Sequence, residues 1–386
     1  MAGSQRIPFH VEDLGAEEIA AATACLRAGQ LGGDGPCCRR VEAALAEITG
    51  ARHVLLVTSA THALELALLA LDIRAGDEVV LPSFSFPSAA NCILQRGARP
   101  VFADVRADTL ELDAEDVARV LTERTAAVLP VDYGGTGSDL RALAAVLDGA
   151  PRARRIAVVE DAAQGIDSWR GGAHAGTAAD CGALSFHATK NVSCGEGGAL
   201  LVRDAEVFRR AELVRDKGTN RAAFLRGEVP RYEWVTQGSS YVLGDLLAAV
   251  LLAQLGRLAA LTAARRALAA RYDAAFADLF ASGMLRPLAV PPDCRPNAHL
   301  YALRTRDAEA QGSLRAHLAA RGIAAPFHFV PLHTTAFARG LLGPPRHLPV
   351  TDDAWATLLR LPLYPRLTAP QQERIIDAVR DWAARA

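Results

Sequence analysis

The stretch HVLLVTSATHALELALLALDI, residues 53–73, changes period part-way along. HVLLV, 53–57, is a short, continuous apolar run, whereas TSATHALELALLALDI behind it has helical spacing. The pattern recurs in EVVLP, 78–82, followed by a helical SAANCILQRG, then RPVFADV, 99–105, and TAAVLPVDY, 125–133, with a helix ending near Gly149. RIAVVED, 155–161, and GALSFH, 182–187, are two more apolar runs. Runs without polar alternation are those of strands buried on both faces, as in a parallel sheet covered by helices. The expected fold class is therefore α/β, with a doubly wound, mostly parallel sheet. In such sheets the ligand site lies outside the carboxyl ends of the strands.

Outward from that core, VEDLGAEEIAAATACLRAG reads as a helix stopping at Gly29. From about residue 244 the texture turns alanine- and leucine-rich, giving a long bridging helix over about 244–280 with a break near Gly256. Prolines mark residues 286–298 as a loop, HLYALRT as a strand and AEAQGSLRAHLAARG as a helix. After a proline-rich loop at 344–349, DDAWATLLRL and APQQERIIDAVRDWAARA read as closing helices. This suggests a large domain over 1–250 and a smaller α/β domain over 251–386, consistent with 386 residues at roughly 150 per domain. No internal repeat and no disordered tail are expected.

Composition narrows the function classes. A formal net charge of -1 gives no electrostatic reason to expect nucleic acid or an anionic membrane as partner. The basic run PRARR, 151–155, is short and reads as a solvated loop. No window is long and apolar enough for a transmembrane helix, and the N-terminus has no signal-peptide core, so a cytoplasmic location is expected. Seven scattered cysteines with no C-x-x-C pair argue against a disulfide framework and against a zinc site, so no metal is expected. Lysine is nearly absent and arginine abundant.

Three features fall at strand ends. VVEDAAQG, 158–165, delivers Asp161 into a loop, as a helix cap or as a buried acid facing a cationic heterocycle or metal. SFHATKN, 185–191, places Lys190 after a strand on which Ser185 and His187 share one face. TSATHAL, 58–64, opens a helix whose hydroxyls and N-terminal N–H groups suit a phosphate, or form a plain cap. A carboxylate, a lysine, a helix-terminal phosphate cup and an aromatic cover (Phe84 or Phe86 in PSFSFPSAAN, 82–91) are the parts that hold pyridoxal phosphate.

Those motifs, with GEGGAL, RDKGTNR and PFHFVPLH, resemble the DegT/DnrJ/StrS family of pyridoxal-phosphate-dependent sugar-nucleotide aminotransferases, from GQLGGDGPCCRRVE to LRLPLYPRLT. GQLGGDG, DKGTNRAAFLRGEV and GSSYVLGDLLAA are most similar to the subgroup aminating the 4-keto carbon of dTDP-4-keto-6-deoxyglucose. The resemblance implies a fold-type I aminotransferase. It implies Lys190 as the lysine that links to the cofactor aldehyde and shuttles the proton, and Asp161 as partner of the ring nitrogen. Gln164 would lie beside the ring hydroxyl and Phe86 over the ring, with Ala60, Thr61 and Ser185 at the phosphate and His187 nearby. Ser240 stands where the family usually has a cross-subunit asparagine, and Asp132 where histidine is common.

Lys217 and Arg221 are candidates for a diphosphate, and His328, with His333, for the sugar pocket. The implied reaction cycles the cofactor between pyridoxal and pyridoxamine phosphate, takes the amine from L-glutamate and delivers it to a dTDP-linked 4-keto sugar in a homodimer with interface sites. A 4-keto-pentose or 3-keto sugar nucleotide, or a non-catalytic regulator binding the same ligands, are the alternatives. Gly195, Gly197 and Gly198 are expected to permit a tight turn, and Cys194 to act as an apolar filler.

Overall fold

The computed structural model describes residues 6–150 and 155–385. Its centre is a seven-stranded sheet in the order His53–Val57, Gly198–Val202, Cys181–Ser185, Ala157–Glu160, Thr125–Val128, Glu78–Pro82, Arg99–Ala103. Gly198–Val202 pairs antiparallel with both neighbours, and every other pairing in the row is parallel. Six carboxyl ends therefore open onto one edge, and the reversed strand begins there, with Gly198 opposite both Val57 and Ser185.

Both sheet faces are dry. Leu55, Val57, Val79 and Leu81 pack one way, against Leu64, Leu66 and Leu68 of the Ala60–Ala70 helix and Cys92 and Ile93 of Pro87–Gln95. Val54, Leu56, Leu184 and Leu201 pack the other way, against Val41 and Leu45 of Pro36–Thr49 and Leu251 and Leu255 of Asp245–Gly256. Successive strand residues feed opposite cores, which is why the strands read as unbroken apolar runs.

A second core joins Tyr272 and Phe276 of the Leu258–Ala281 helix to Leu285, Leu303, Leu359, Ile375 and Trp382. It packs on a three-stranded antiparallel sheet ordered Leu285–Pro287, Tyr301–Thr305, Leu358–Leu361. Ile7, from the N-terminal segment, is also buried in this second core and bridged to Ile323. The long bridging helix breaks at Arg257, just past Gly256, with a bend of 60°.

Two expectations need correction. DDAWATLLRL is not all helix: Pro349–Thr357 is helical, but Leu358–Leu361 is a strand. A four-residue apolar run has no period of its own, and pairing with Tyr301–Thr305 together with the following Pro362 decides it as strand. The loop at 286–298 likewise gives residues 286–287 to one strand and Cys294–Arg295 to another. Of the basic run at 151–155, only Arg155 lies within the described residues, and it pairs with Asp180.

Candidate active site

The carboxyl edge of the sheet and the second core enclose a cavity of about 480 Å³. Ala60, Thr61, Phe86, Asp161, Gln164, Ser185, His187, Lys190 and His328 all line it. The parallel register explains the convergence: chain segments more than a hundred residues apart leave the sheet at the same edge.

Asp161 follows the Ala157–Glu160 strand and is buried. One carboxylate oxygen accepts the Ala163 N–H at 3.1 Å; the other has no hydrogen-bond donor among the described residues. Burial raises its pKa, opposed by the Ala163 N–H and by the charge of Lys190. Lys190 sits on a turn closed by its own N–H to the His187 carbonyl at 2.9 Å. Burial pulls its amine down to about 8, against the attraction of Asp161, and the positive charge of Arg360 pushes the same way as burial.

The anion-binding end is built by the Ala60–Ala70 helix. Ser59 caps it, accepting the His62 N–H at 3.1 Å, while the first-turn N–H groups of Ala60 and Thr61 have no partner within the helix. Thr61 Oγ1 and Ser88 Oγ lie 2.8 Å apart beside it. Gly198 backs directly onto this turn: a Cβ there would stand 2.3 Å from the Ser59 carbonyl carbon and 2.5 Å from the Ala60 nitrogen. Gly195 is needed for another reason, its φ of +89°. Gly198→Ala is expected to displace the turn and destabilise the protein by about 1–3 kcal/mol, the usual range for overpacking. A thermal melt reads it, and an unchanged midpoint contradicts the close approach.

Phe86, at the start of the Pro87–Gln95 helix, is 62% exposed and stands at the cavity mouth. Gln164 Oε1 accepts the Gly134 N–H at 2.8 Å. His187 contacts Thr189 Oγ1 at 3.0 Å and lies 3.7 Å from Glu196. His328 is stacked on Phe329 and lies 3.2 Å from the Tyr133 hydroxyl; burial holds it neutral, far below the usual histidine range.

Other candidates lie elsewhere. His333 is bound to Ser83 Oγ at 2.7 Å, outside the cavity lining. Asp132 is fully buried and serves the 132–138 loop, accepting the Ser138 N–H at 2.8 Å and its hydroxyl at 2.7 Å, with burial and then Glu160 raising its pKa. Lys217 and Arg221 both face Asp216, and Ser240 is exposed; none of the three lines the cavity of its own chain. Cys194 is buried and its thiol is pushed up to about 12, as fits a filler.

The structure adds residues that sequence reading passed over: Phe9, His10, His299 and Arg360. His10 Nε2 lies 2.8 Å from the Ala188 carbonyl, and His299 Nδ1 3.0 Å from Asn191 Oδ1. Phe9, His10 and His299 come from segments with no motif, and Arg360 from LRLPLYPRLT, where the resemblance assigns it no role; the second core carries them to the cavity.

The model of the DegT/DnrJ/EryC1/StrS aminotransferase family matches residues 12–380. Among solved structures, the chain is similar to an aminotransferase TlmJ from Streptoalloteichus hindustanus, with a TM-score of 0.90 and 34% identity over 99% of this chain and 100% of that one. It is similar to DesV of S. venezuelae, with a TM-score of 0.88 and 34% identity over 99% of each chain. A protein assigned as a sugar aminotransferase, Spr1654 from Streptococcus pneumoniae, matches in its PLP form with a TM-score of 0.90 and 27% identity over 99% of each chain.

Proposed function

The chain belongs to the DegT/DnrJ/EryC1/StrS aminotransferase family, and on that premise we propose that it is a pyridoxal-phosphate-dependent sugar aminotransferase. It moves an amine from L-glutamate to the 4-keto carbon of a nucleotide-linked, dTDP-bound 6-deoxyhexose. The observation that carries the reading is one cavity holding the half-buried Lys190, whose amine desolvation pulls down, and a buried carboxylate with an unclaimed oxygen, Asp161.

The residues present fit the cofactor. A phosphate suits the capped N-terminus at Ala60 and Thr61 with the Ser88 and Ser185 hydroxyls. A protonated ring nitrogen suits Asp161, whose burial otherwise leaves a carboxylate short of partners. Phe86 offers an apolar face and Gln164 a side-chain amide. When bound, pyridoxal phosphate supplies an aldehyde that accepts the amine and a ring that withdraws electrons.

The chain's own residues do the rest. Lys190, with an amine at about 8, is partly neutral near physiological pH, so it takes a proton from carbon and returns it within the cavity. Asp161 holds negative charge where the ring needs it. Phe9, Phe329 and Leu363 cover the cavity and keep water from the reacting carbon.

Lys217, Arg221 and Ser240 enter this reading through a second copy. Beside them Leu225, Tyr232, Trp234 and Val235 are exposed, Trp234 at 79%, an apolar surface larger than a scattered residue or two. In a homodimer that surface is covered and the three polar residues face the partner's cavity.

Purified protein is expected to be yellow, to bleach with L-glutamate and to recover colour with one of a panel of keto sugar nucleotides: 4-keto-6-deoxyhexose, 4-keto-pentose, 3-keto. Recovery with a pentose or 3-keto compound instead reassigns the sugar. Bleaching that no keto sugar reverses favours a non-catalytic binder, and a colourless protein in the presence of added pyridoxal phosphate overturns the reading. Sedimentation of the active protein as a monomer removes the dimer.

A further inference from the structure

Asp132 and Glu160 are two buried acids without a cation. Asp132 is wholly inaccessible and Glu160 is 2% exposed. One oxygen of Asp132 accepts the Ser138 N–H and hydroxyl; the other, Oδ2, has no donor, and neither has Oε2 of Glu160. The two carboxyls are in hydrogen-bond contact with each other. They meet because the segments carrying them run side by side at the carboxyl edge of the sheet. There the Asp161 N–H donates to the Pro130 carbonyl at 2.9 Å, and the Asp132 N–H to the Asp161 carbonyl at 3.1 Å.

The titratable groups around the pair bring it no counter-charge. Arg170 is held by Glu111, Asp139 and Asp293, and Arg141 by Asp293. His174 is buried, with its ring nitrogens on the Ala175 carbonyl at 2.7 Å and the Asp167 N–H at 2.9 Å, and burial pulls it down to about 4, so it is neutral. The Cys294 thiol, pushed up to about 11 by burial, is also uncharged. Two carboxylates in contact in a dry site cannot both ionise. Two facing acceptor oxygens are satisfied only when a proton lies between them.

We propose that Asp132 and Glu160 share one proton, and that this proton positions Asp161 and the 132–138 loop for the reaction. Asp132 opens the loop, and its carboxyl fastens the far end at Ser138. Between them the loop carries the Gly134 N–H, which holds Gln164 at 2.8 Å, and Tyr133, whose hydroxyl lies 3.2 Å from His328. Gln164, His328 and Asp161 all line the cavity. Loss of the proton sets two negative charges against each other beside Asp161 and loosens the contact that closes the loop onto the sheet. The positioning role rests on the aminotransferase reading; the shared proton does not.

Infrared difference spectra of the cofactor-free protein at neutral pH read the proton. Wild type minus Asp132→Asn, and wild type minus Glu160→Gln, are each expected to show the carbonyl band of one protonated carboxyl. In either variant the new amide donates to the remaining acid, which is then ionised. A band missing from both differences overturns the shared proton; a band missing from one shows that a single acid holds it, and overturns it too. Melting gives a second reading. The folded chain holds this proton more tightly than the unfolded one, so the stability linked to it is full below the ordinary carboxylate value and is lost as pH rises through the folded one. The midpoint of Asp132→Asn relative to wild type is therefore expected to rise with pH, Lys190 titrating alike in both. A difference that stays constant with pH overturns the proposal.

Positioning is read from the rate at which L-glutamate bleaches the yellow form. Asp132→Ala is expected to slow it by about 10- to 100-fold, the scale of a 1 Å misplacement. Asp132→Asn fills the same contacts and is expected to recover most of that loss. Wild type is expected to lose rate at alkaline pH where Asp132→Asn does not. A wild-type pH profile in Asp132→Asn marks a purely structural role and overturns the positioning. A wild type that does not bleach removes the reaction reading and the positioning with it, while the spectra and melts still decide the shared proton.

Discussion

Lys190→Ala is expected to lower transamination by about 10,000-fold, the upper end for removing a positioned acid–base group, while the protein stays folded. The fold survives because the change removes a half-buried cation from a cavity edge and leaves the sheet cores untouched. The variant also loses the amine to which the cofactor would be fixed. Borohydride trapping followed by peptide mapping reads this cleanly, since the chain has two lysines, Lys190 and Lys217. Label on Lys217, or full activity in the variant, refutes the assignment.

The environment of Lys190 also sets a pH dependence. With the amine at about 8, the neutral share at pH 7.5 is roughly 200-fold that of an ordinary lysine near 10.4. Cofactor uptake by stripped protein is therefore expected to rise through pH 8 and then level off. The sign for stability follows: the unfolded chain holds this proton more tightly, so the cofactor-free fold gains stability as pH rises from about 8 toward about 10.4.

Asp161→Asn is expected to cost about 3–5 kcal/mol of rate, roughly 150- to 5,000-fold, as when one member of a buried charge pair is removed. Asparagine keeps the shape and can still accept the Ala163 N–H, so what is lost is the negative charge. Because Asp161 favours the protonated form of Lys190, the variant should also move the pH midpoint of cofactor uptake below about 8. Steady-state kinetics and the pH profile together decide it. A variant with wild-type rate and midpoint shows that Asp161 only caps its loop.

Much of this was legible from particular residues. Val54 to Val57 gave their strand away because neighbours feed opposite cores, and Gly29 stops its helix with a φ of 69°. Lys190, Asp161 and Thr61 stood out because each follows an apolar strand, and parallel strands share one carboxyl edge. Arg360 did not stand out. LLRL has no periodicity, its strand exists only through pairing with Tyr301–Thr305, and an arginine in an assumed helix reads as a solvated surface charge.

By itself, then, the sequence determined the α/β alternation, the sheet's carboxyl edge and the lysine and aspartate that leave it, because these follow from local period and the geometry of parallel strands. The tertiary structure alone decided what faces them. Phe9, His10, His299 and Arg360 are brought in by packing of the second core, and Lys217, Arg221 and Ser240 are held away from their own chain's cavity. Distance along the chain carries no information about which segments a hydrophobic core will fold against one another, so neither the place of Arg360 nor the missing partners is written in the order of residues.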